Sequence, residues 1–251
     1  MPTTELKTSL VTGAASGLGR AIAVALAARG DCVALCDRDV SGLETTASTI
    51  KTAGGSVVAV PCDVTSAQGA ASVVAAAVKE FGRLDYAVNN AGIEGARAPV
   101  GDYEFDEWRR VLAVNLDGTF LCMKSEIAAM LPRGGGAIVN VGSTASLGGA
   151  AGMPAYTASK HGLLGLTRAA ALDYADRGIR INALCPGSFR TPMSERLFGA
   201  DMTGMALKTP MKRLGTLEEI AAAVLFLCSD ASTFITGAAL PVEGGRLSRC
   251  I

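Results

Sequence analysis

Tyr156 and Lys160 stand four residues apart, so on a helix they share one face. A free tyrosine titrates near pH ~10, and ionising it at pH 7 costs about 4 kcal/mol. A neighbouring ammonium favours the phenolate and lowers that cost. Such a tyrosine acts near neutral pH as a base for alcohol oxidation or as an acid for ketone reduction. Ser143, at the end of a predicted strand, is placed to hydrogen-bond a substrate oxygen as charge develops on it. A tyrosine and a lysine one turn apart are also an ordinary surface pair, so their meaning rests on the company they keep. His161 points about 100° around the helix from Lys160 and reads as a packing or interface residue.

That company begins with Thr12-Gly13-Ala14-Ala15-Ser16-Gly17-Leu18-Gly19, which runs from a strand into a helix. Glycines here permit a tight turn, let backbone approach a pyrophosphate and aim helix N-terminal amides at it. The spacing is G-x-x-x-G-x-G, which departs from the commoner G-x-G-x-x-G fingerprint. The second strand ends at Asp37, about where an acid meets an adenosine ribose. A carboxylate there accepts from the ribose hydroxyls and repels a 2′-phosphate, favouring NAD over NADP. Arg38 pulls the other way, because a guanidinium just past that strand is suited to hold the phosphate.

Elements that would position these groups alternate along the chain. Strands are expected at 10–12, 32–36, 56–60, 84–88, 137–141, 180–184 and 239–242. Helices are expected at 17–29, 41–52, 67–81, 105–130, 156–174 and 217–228, with Gly30 and Gly82 as stops. The strands are near-continuous apolar runs, as strands buried on both faces are. The pattern predicts an α/β fold with a doubly wound, seven-stranded parallel sheet in one domain over 1–251. The stretch 188–213 has no clear strand and carries Phe189, Met193, Phe198, Met202, Met205 and Met211, which reads as a substrate lid.

Composition agrees. Apolar residues make up 49 % and charged residues 18 % of 251, a core-rich balance that excludes disorder and coiled coil. Thirty glycines beside nine prolines point to tight turns and close backbone approach, not linkers. With 23 basic and 23 acidic residues the chain carries no footprint for nucleic acid or an anionic membrane. No run approaches a membrane span, and the polar, acid-bearing first residues do not resemble a targeting peptide. Seven cysteines with no Cys-x-x-Cys pair, most of them in apolar runs, read as small hydrophobes in a reducing cytoplasm. With a single histidine, no metal site is expected.

Taken in order, the glycine turn at 12–19, Asp63-Val64, Asn89-Asn90-Ala91-Gly92, Asn115, Ser143, Tyr156-Thr157-Ala158-Ser159-Lys160, and Pro186-Gly187 with Thr191 resemble the short-chain dehydrogenase/reductase family over essentially the whole chain. The resemblance implies a Rossmann-type fold and a catalytic set of Asn115, Ser143, Tyr156 and Lys160. In that set Lys160 also holds the nicotinamide ribose, and Asn115 positions a water linking Lys160 to solvent. It implies cofactor contacts from Gly13, Ser16, Gly17, Leu18, Gly19 and Asp37. Asp63 would meet the adenine amino group, Val64 the ring, and Asn90 and Gly92 the riboses. Pro186, Gly187, Phe189 and Thr191 would hold the carboxamide. For Asp63 a plain turn acid is the alternative, with Thr65 or Ser66 capping the next helix.

Selectivity is expected from the Met-rich segment, from 147–153 and from Ile93-Glu94-Gly95, with Glu94, Leu147, Met153 and Met193 against the substrate. Small residues and methionines there suit an apolar or cyclic secondary alcohol, including diols, or its ketone. An NADPH-dependent 3-oxoacyl-carrier-protein reductase is the nearer rival, opposed by Asp37 and by the lack of a basic patch. A non-catalytic dinucleotide-sensing protein is the farther one, opposed by the complete catalytic set. Apolar residues on several faces of 105–130 and 156–174, with the family's habit of pairing these helices, predict a homotetramer.

Overall fold

The computed structural model describes residues 6–248. Seven strands form one parallel sheet in the order β3-β2-β1-β4-β5-β6-β7. They are β1 (Thr8–Thr12), β2 (Cys32–Asp37), β3 (Val57–Pro61), β4 (Tyr86–Asn89), β5 (Gly136–Val141), β6 (Ile179–Pro186) and β7 (Ala239–Val242). β1 is buried along its whole length and β2 for all but its last residue, as their unbroken apolar runs require. The helices are α1 (Gly17–Arg29), α2 (Val40–Thr52), α3 (Ala67–Phe81), α4 (Phe105–Leu112), α5 (Gly118–Met130), α6 (Pro154–Tyr174), α7 (Pro192–Phe198), α8 (Thr203–Lys208) and α9 (Leu217–Leu227). α1 and α3 end at Gly30 and Gly82, both left-handed.

One core lies between the sheet and α1, α2 and α9, around Ile22, Leu26, Leu43, Ile50 and Val224. The other lies under α3 and α5 and the end of α6, around Val73, Met123, Ile127, Met130 and Ala171. The order of strands reverses between β1 and β4, and at such a switch point the loops part to leave a crevice at the strands' carboxyl ends. Every residue of the expected catalytic set is delivered to that end. No helix among the described residues is long and apolar enough to cross a membrane.

Three expectations need adjustment. The long helix over 105–130 is interrupted at Ala113–Asp117 by a wider π-type turn that carries Asn115. The 188–213 stretch folds as α7 and α8, but its side chains do not all face a ligand. Phe189 and Met202 are buried, whereas Met211 is exposed. Finally, the cysteines are not all simple core fillers. Cys32, Cys122, Cys185 and Cys228 are free and buried, but Cys36 and Cys62 are disulfide-bonded. The pairing arises because β2 and β3 run in register, Cys36 beside Val60 and Asp37 beside Pro61, bringing residues far apart in sequence together. Cys250 lies outside the described residues.

Candidate active site

A groove of about 270 Å³ opens at the switch point, lined by Gly13, Ser16, Gly17 and Leu18, by Asp37, Arg38, Asp63 and Val64, and by Asn90 and Gly92. Thr191 and Met193 of the 188–213 stretch line it too. The turn is shaped by Gly13, whose φ is +66° and whose added Cβ would meet Asn90 Nδ2 at 2.8 Å and Ala91 Cα at 2.9 Å. Asn90 is what holds the turn. Its Nδ2 donates to the carbonyls of Thr12 and Gly13 at 3.0 and 3.1 Å, so it braces the cradle as well as lining it. Gly19 is buried against the Gly13 carbonyl, with no room there for a side chain. It shapes the cradle from behind.

The cradle fits a pyrophosphate. α1 begins with no acidic residue in its first turn, and the Ser16 hydroxyl makes no cap of its own. The amides and the positive end of the helix dipole therefore face the groove unopposed. Asp37 is fixed by two backbone donors, Ala15 N at 2.9 Å and Asp39 N at 3.0 Å. Arg38 leans towards Asp63, with 3.7 Å between Nη1 and Oδ2. The other Asp63 oxygen accepts from Thr65 N and Thr65 Oγ1 at 2.9 and 2.8 Å, while Ser66 caps α3. The Thr65 amide, with help from Arg38, holds the Asp63 carboxyl below its usual range. Asp63 is thus both the turn acid and a wall of the groove. Val64 is buried beside it.

The catalytic candidates converge beyond Gly92. Tyr156 neighbours Ser143, which favours its ionisation, and Lys160 Nζ lies 5.8 Å from the tyrosine ring centroid. Lys160 is buried and donates to the Val141 carbonyl at 2.8 Å. Ser143 stands two residues past β5 and accepts from Ala145 N at 3.1 Å, which fixes its side chain in a short capping turn. Asn115 exchanges hydrogen bonds with the Ile93 backbone, Oδ1 accepting at 2.8 Å and Nδ2 donating at 3.0 Å, and also donates to Ser159 Oγ at 3.0 Å. It therefore ties the β4 loop to α6. A Cβ on Gly92 would come within 3.2 Å of Asn115 Oδ1 and 3.6 Å of Lys160 Nζ, so glycine keeps the space between these groups open.

The expected easing of Tyr156 ionisation by Lys160 is set against the burial of both groups. Burial raises the Tyr156 hydroxyl above its usual value; the neighbouring Ser143 hydroxyl opposes this, and the Glu94 charge adds to it. The same burial pulls Lys160 down to about 8, so its own charge is weakened. The chain on its own keeps the tyrosine protonated, ready as an acid.

Other expected residues divide. Glu94 sits at the mouth and takes Arg196 of α7 through two contacts, 2.7 and 3.2 Å. Burial works against its charge, but Arg196 prevails and keeps the carboxyl below its usual range. Leu147 is exposed at the end of the turn that follows Ser143, and Met153 is buried at the start of α6. Phe189 departs from its expected contact: its ring belongs to the core and lies against Gly215, leaving only its backbone free to meet a ligand. Pro186 and Gly187 carry the chain from β6 towards the lid, with Gly187 held tightly against Glu243. His161 is exposed, its Nδ1 3.0 Å from the Thr157 carbonyl. Ile93, from the expected selectivity segment, lines the groove, and Arg196 lines it without having been anticipated. An arginine inside a Met-rich lid was the available signal.

Comparison with known proteins agrees with this geometry. A family model described as enoyl-(acyl carrier protein) reductase matches residues 13–246. A cyclohexanol dehydrogenase of Acinetobacter sp. (strain SE19) is 40 % identical over 243 residues, covering 97 % of this chain and 96 % of that one. The crystal structure of levodione reductase superposes with a TM-score of 0.93 at 36 % identity, covering 97 % and 98 % of the two chains. That of NAD+-bound xylitol dehydrogenase does so with a TM-score of 0.92 at 37 % identity, covering 97 % and 100 %. The chain belongs to the short-chain dehydrogenase/reductase family. It is an oxidoreductase acting on alcohol groups and their carbonyl counterparts.

Proposed function

We propose that the protein is an NAD(H)-dependent dehydrogenase that interconverts an apolar or cyclic secondary alcohol, diols included, with its ketone, using Tyr156 as general acid and base. The observation that carries this reading is Tyr156 set beside Ser143, with Lys160 buried one turn along α6 and its Nζ close to Gly92 of the groove lining. Gly13, Ser16, Gly17 and Leu18 would hold the pyrophosphate, Asp37 the adenosine ribose, Asp63 and Val64 the adenine, and Lys160 and Thr191 the nicotinamide half. When bound, the oxidised nicotinamide supplies the hydride acceptor and a positive charge that favours the tyrosinate. Ser143 donates to the substrate oxygen, Tyr156 takes or returns its proton, and Lys160 beside it connects that proton to solvent near Asn115. The relatives named for cyclohexanol and levodione support a cyclic substrate.

Asp37 supports NAD. Its carboxylate is already aligned by two amides, and Arg38 leans towards a second carboxylate, Asp63. The test is turnover of a panel of cyclic and linear secondary alcohols with NAD+ and NADP+. At least a tenfold preference for NAD+ in kcat/KM is expected, and Asp37→Ala should narrow it by about tenfold or more, the worth of one charged hydrogen bond. A native preference for NADP+, together with turnover of an acyl thioester, would instead favour the carrier-protein reductase.

The Glu94–Arg196 pair ties the lid to the β4 loop across 102 positions of sequence. Because the arginine is largely exposed, the pair contributes at most about 1 kcal/mol. Arg196→Ala is therefore expected to raise the alcohol KM up to about fivefold with kcat little changed. Steady-state kinetics at low and high salt check this, since the wild type should approach the variant as salt rises.

Cytoplasmic residence and a homotetramer are part of the same proposal. Phe120 on α5 and Leu172 on α6 expose large apolar surface that a partner subunit would cover.

A further inference from the structure

We propose that Cys36 and Cys62 form a reversible dithiol–disulfide site that sets the affinity of the groove for the adenosine half of the cofactor. The inference rests on the reading of the groove as a dinucleotide site. Both residues line that groove, and each directly precedes an acid assigned to the adenosine, Asp37 and Asp63. Their Cα atoms are 6.0 Å apart, within the span of a disulfide, and the Cys62 amide donates to the Asp37 carbonyl at 3.0 Å. The bond therefore staples the ends of β2 and β3 at the place where ribose and adenine would part company.

The two sulfurs are not equivalent. Cys36 is fully buried in the core under α3, whereas Cys62 is partly exposed in the loop after β3. Cys62 is the thiol that a low-molecular-weight disulfide such as oxidised glutathione can reach. Its thiolate attacks one sulfur of that disulfide, forming a mixed disulfide and expelling one thiolate. The Cys36 thiolate then attacks Cys62 Sγ and expels the second. The two protein thiols lose two protons and two electrons, and the small disulfide leaves as two thiols. Reducing glutathione runs the sequence backwards.

The position of the pair gives the reaction a consequence. Two sulfurs bonded at about 2 Å must move to non-bonded contact when reduced. Cys36 is locked in the core, so the adjustment falls on Cys62 and on Asp63 and Val64, which follow it. The oxidised form thus holds the adenine wall preformed, and the reduced form must order it on binding.

The test uses the full-length protein equilibrated with oxidised or reduced glutathione. Alkylation and mass spectrometry should find a peptide joining Cys36 to Cys62 only in the oxidised sample. Fluorescence titration should give an NADH Kd about three- to tenfold lower for the oxidised form. Cys62→Ser should show the weaker Kd under both conditions. No Cys36–Cys62 cross-link under oxidised glutathione, or equal Kd values for cross-linked and reduced protein, would overturn the inference while leaving the dinucleotide reading intact. Failure of either form to bind NADH or NADPH would remove that reading, and this inference with it.

Discussion

Tyr156→Phe is expected to lower kcat for alcohol oxidation by about 10²–10⁴-fold while leaving the NADH Kd within twofold of wild type. Phenylalanine keeps the ring between Ser143 and Lys160, so packing in α6 is undisturbed, and only the proton-bearing oxygen is lost. Among the described residues no other side chain is placed to replace it. Lys160 is committed to the Val141 carbonyl, Ser143 is an alcohol without a base, and Glu94 is occupied by Arg196. The effect should therefore fall on chemistry and not on binding, a split read by pairing steady-state kinetics with fluorescence titration. Activity within tenfold of wild type would remove Tyr156 from the mechanism. The outcome also separates the two classes of function considered, since a dinucleotide sensor would bind NADH equally well and show no turnover to lose.

Which features were legible in the sequence follows from how local their causes are. The strand–turn–helix around Gly13, the Tyr156–Lys160 spacing and the stops at Gly30 and Gly82 each depend on a few adjacent residues, and all lie where the pattern put them. The strand count and the doubly wound parallel sheet follow from periodicity and apolar runs. What escaped reading depends on register between strands or on contact across the fold. The Cys36–Cys62 bond requires β2 and β3 to pair with Cys36 beside Val60. The partnership of Arg38 with Asp63 requires the same register. The 188–213 stretch reads as a lid from its methionines and phenylalanines, yet its contact with the β4 loop is an ion pair, because Arg196 and Glu94 meet only once α7 is folded beside that loop. Asn115 was readable as an unusual residue in a helix. The π-type turn that accommodates it became evident only from the backbone.

Glu126 supplies the second large effect, on stability. It lies fully buried on α5 among Cys122, Met123, Ile127 and Met130, in a position a helical pattern would give to an apolar residue. Asn89 Nδ2 donates to its Oε2 at 3.0 Å and to Asn140 Oδ1 at 3.0 Å, and Asn140 in turn donates to Thr167 Oγ1 at 3.0 Å. Two atoms in this network have no partner, Glu126 Oε1 and Asn89 Oδ1. Both are acceptors while the carboxyl is ionised. A proton on Oε1 turns one of these two lone acceptors into a donor, and a paired acid–amide ring with Asn89 Oδ1 would satisfy both atoms at once. Burial acts in the same direction, pushing the carboxyl up to about 8 against the opposing Asn89 hydrogen bond. The group is thus protonated in the folded chain at neutral pH, while in the unfolded chain it ionises near pH ~4.3. A folded-state value raised in this way gives stability that is complete below the unfolded value and lost as pH rises from about 4 towards 8. The loss across that window amounts to roughly 5 kcal/mol at 1.36 kcal/mol per pH unit. Glu126→Gln keeps the paired geometry with an amide and cannot ionise. Its melting temperature should therefore exceed that of the wild type by an amount on the order of 10 °C at pH 8. The two should converge towards pH 5, with the crossover traced by calorimetry at matched protein concentration. Equal pH profiles for the two proteins would show that the Glu126 carboxyl is already ionised in the folded chain and that the ring is not made.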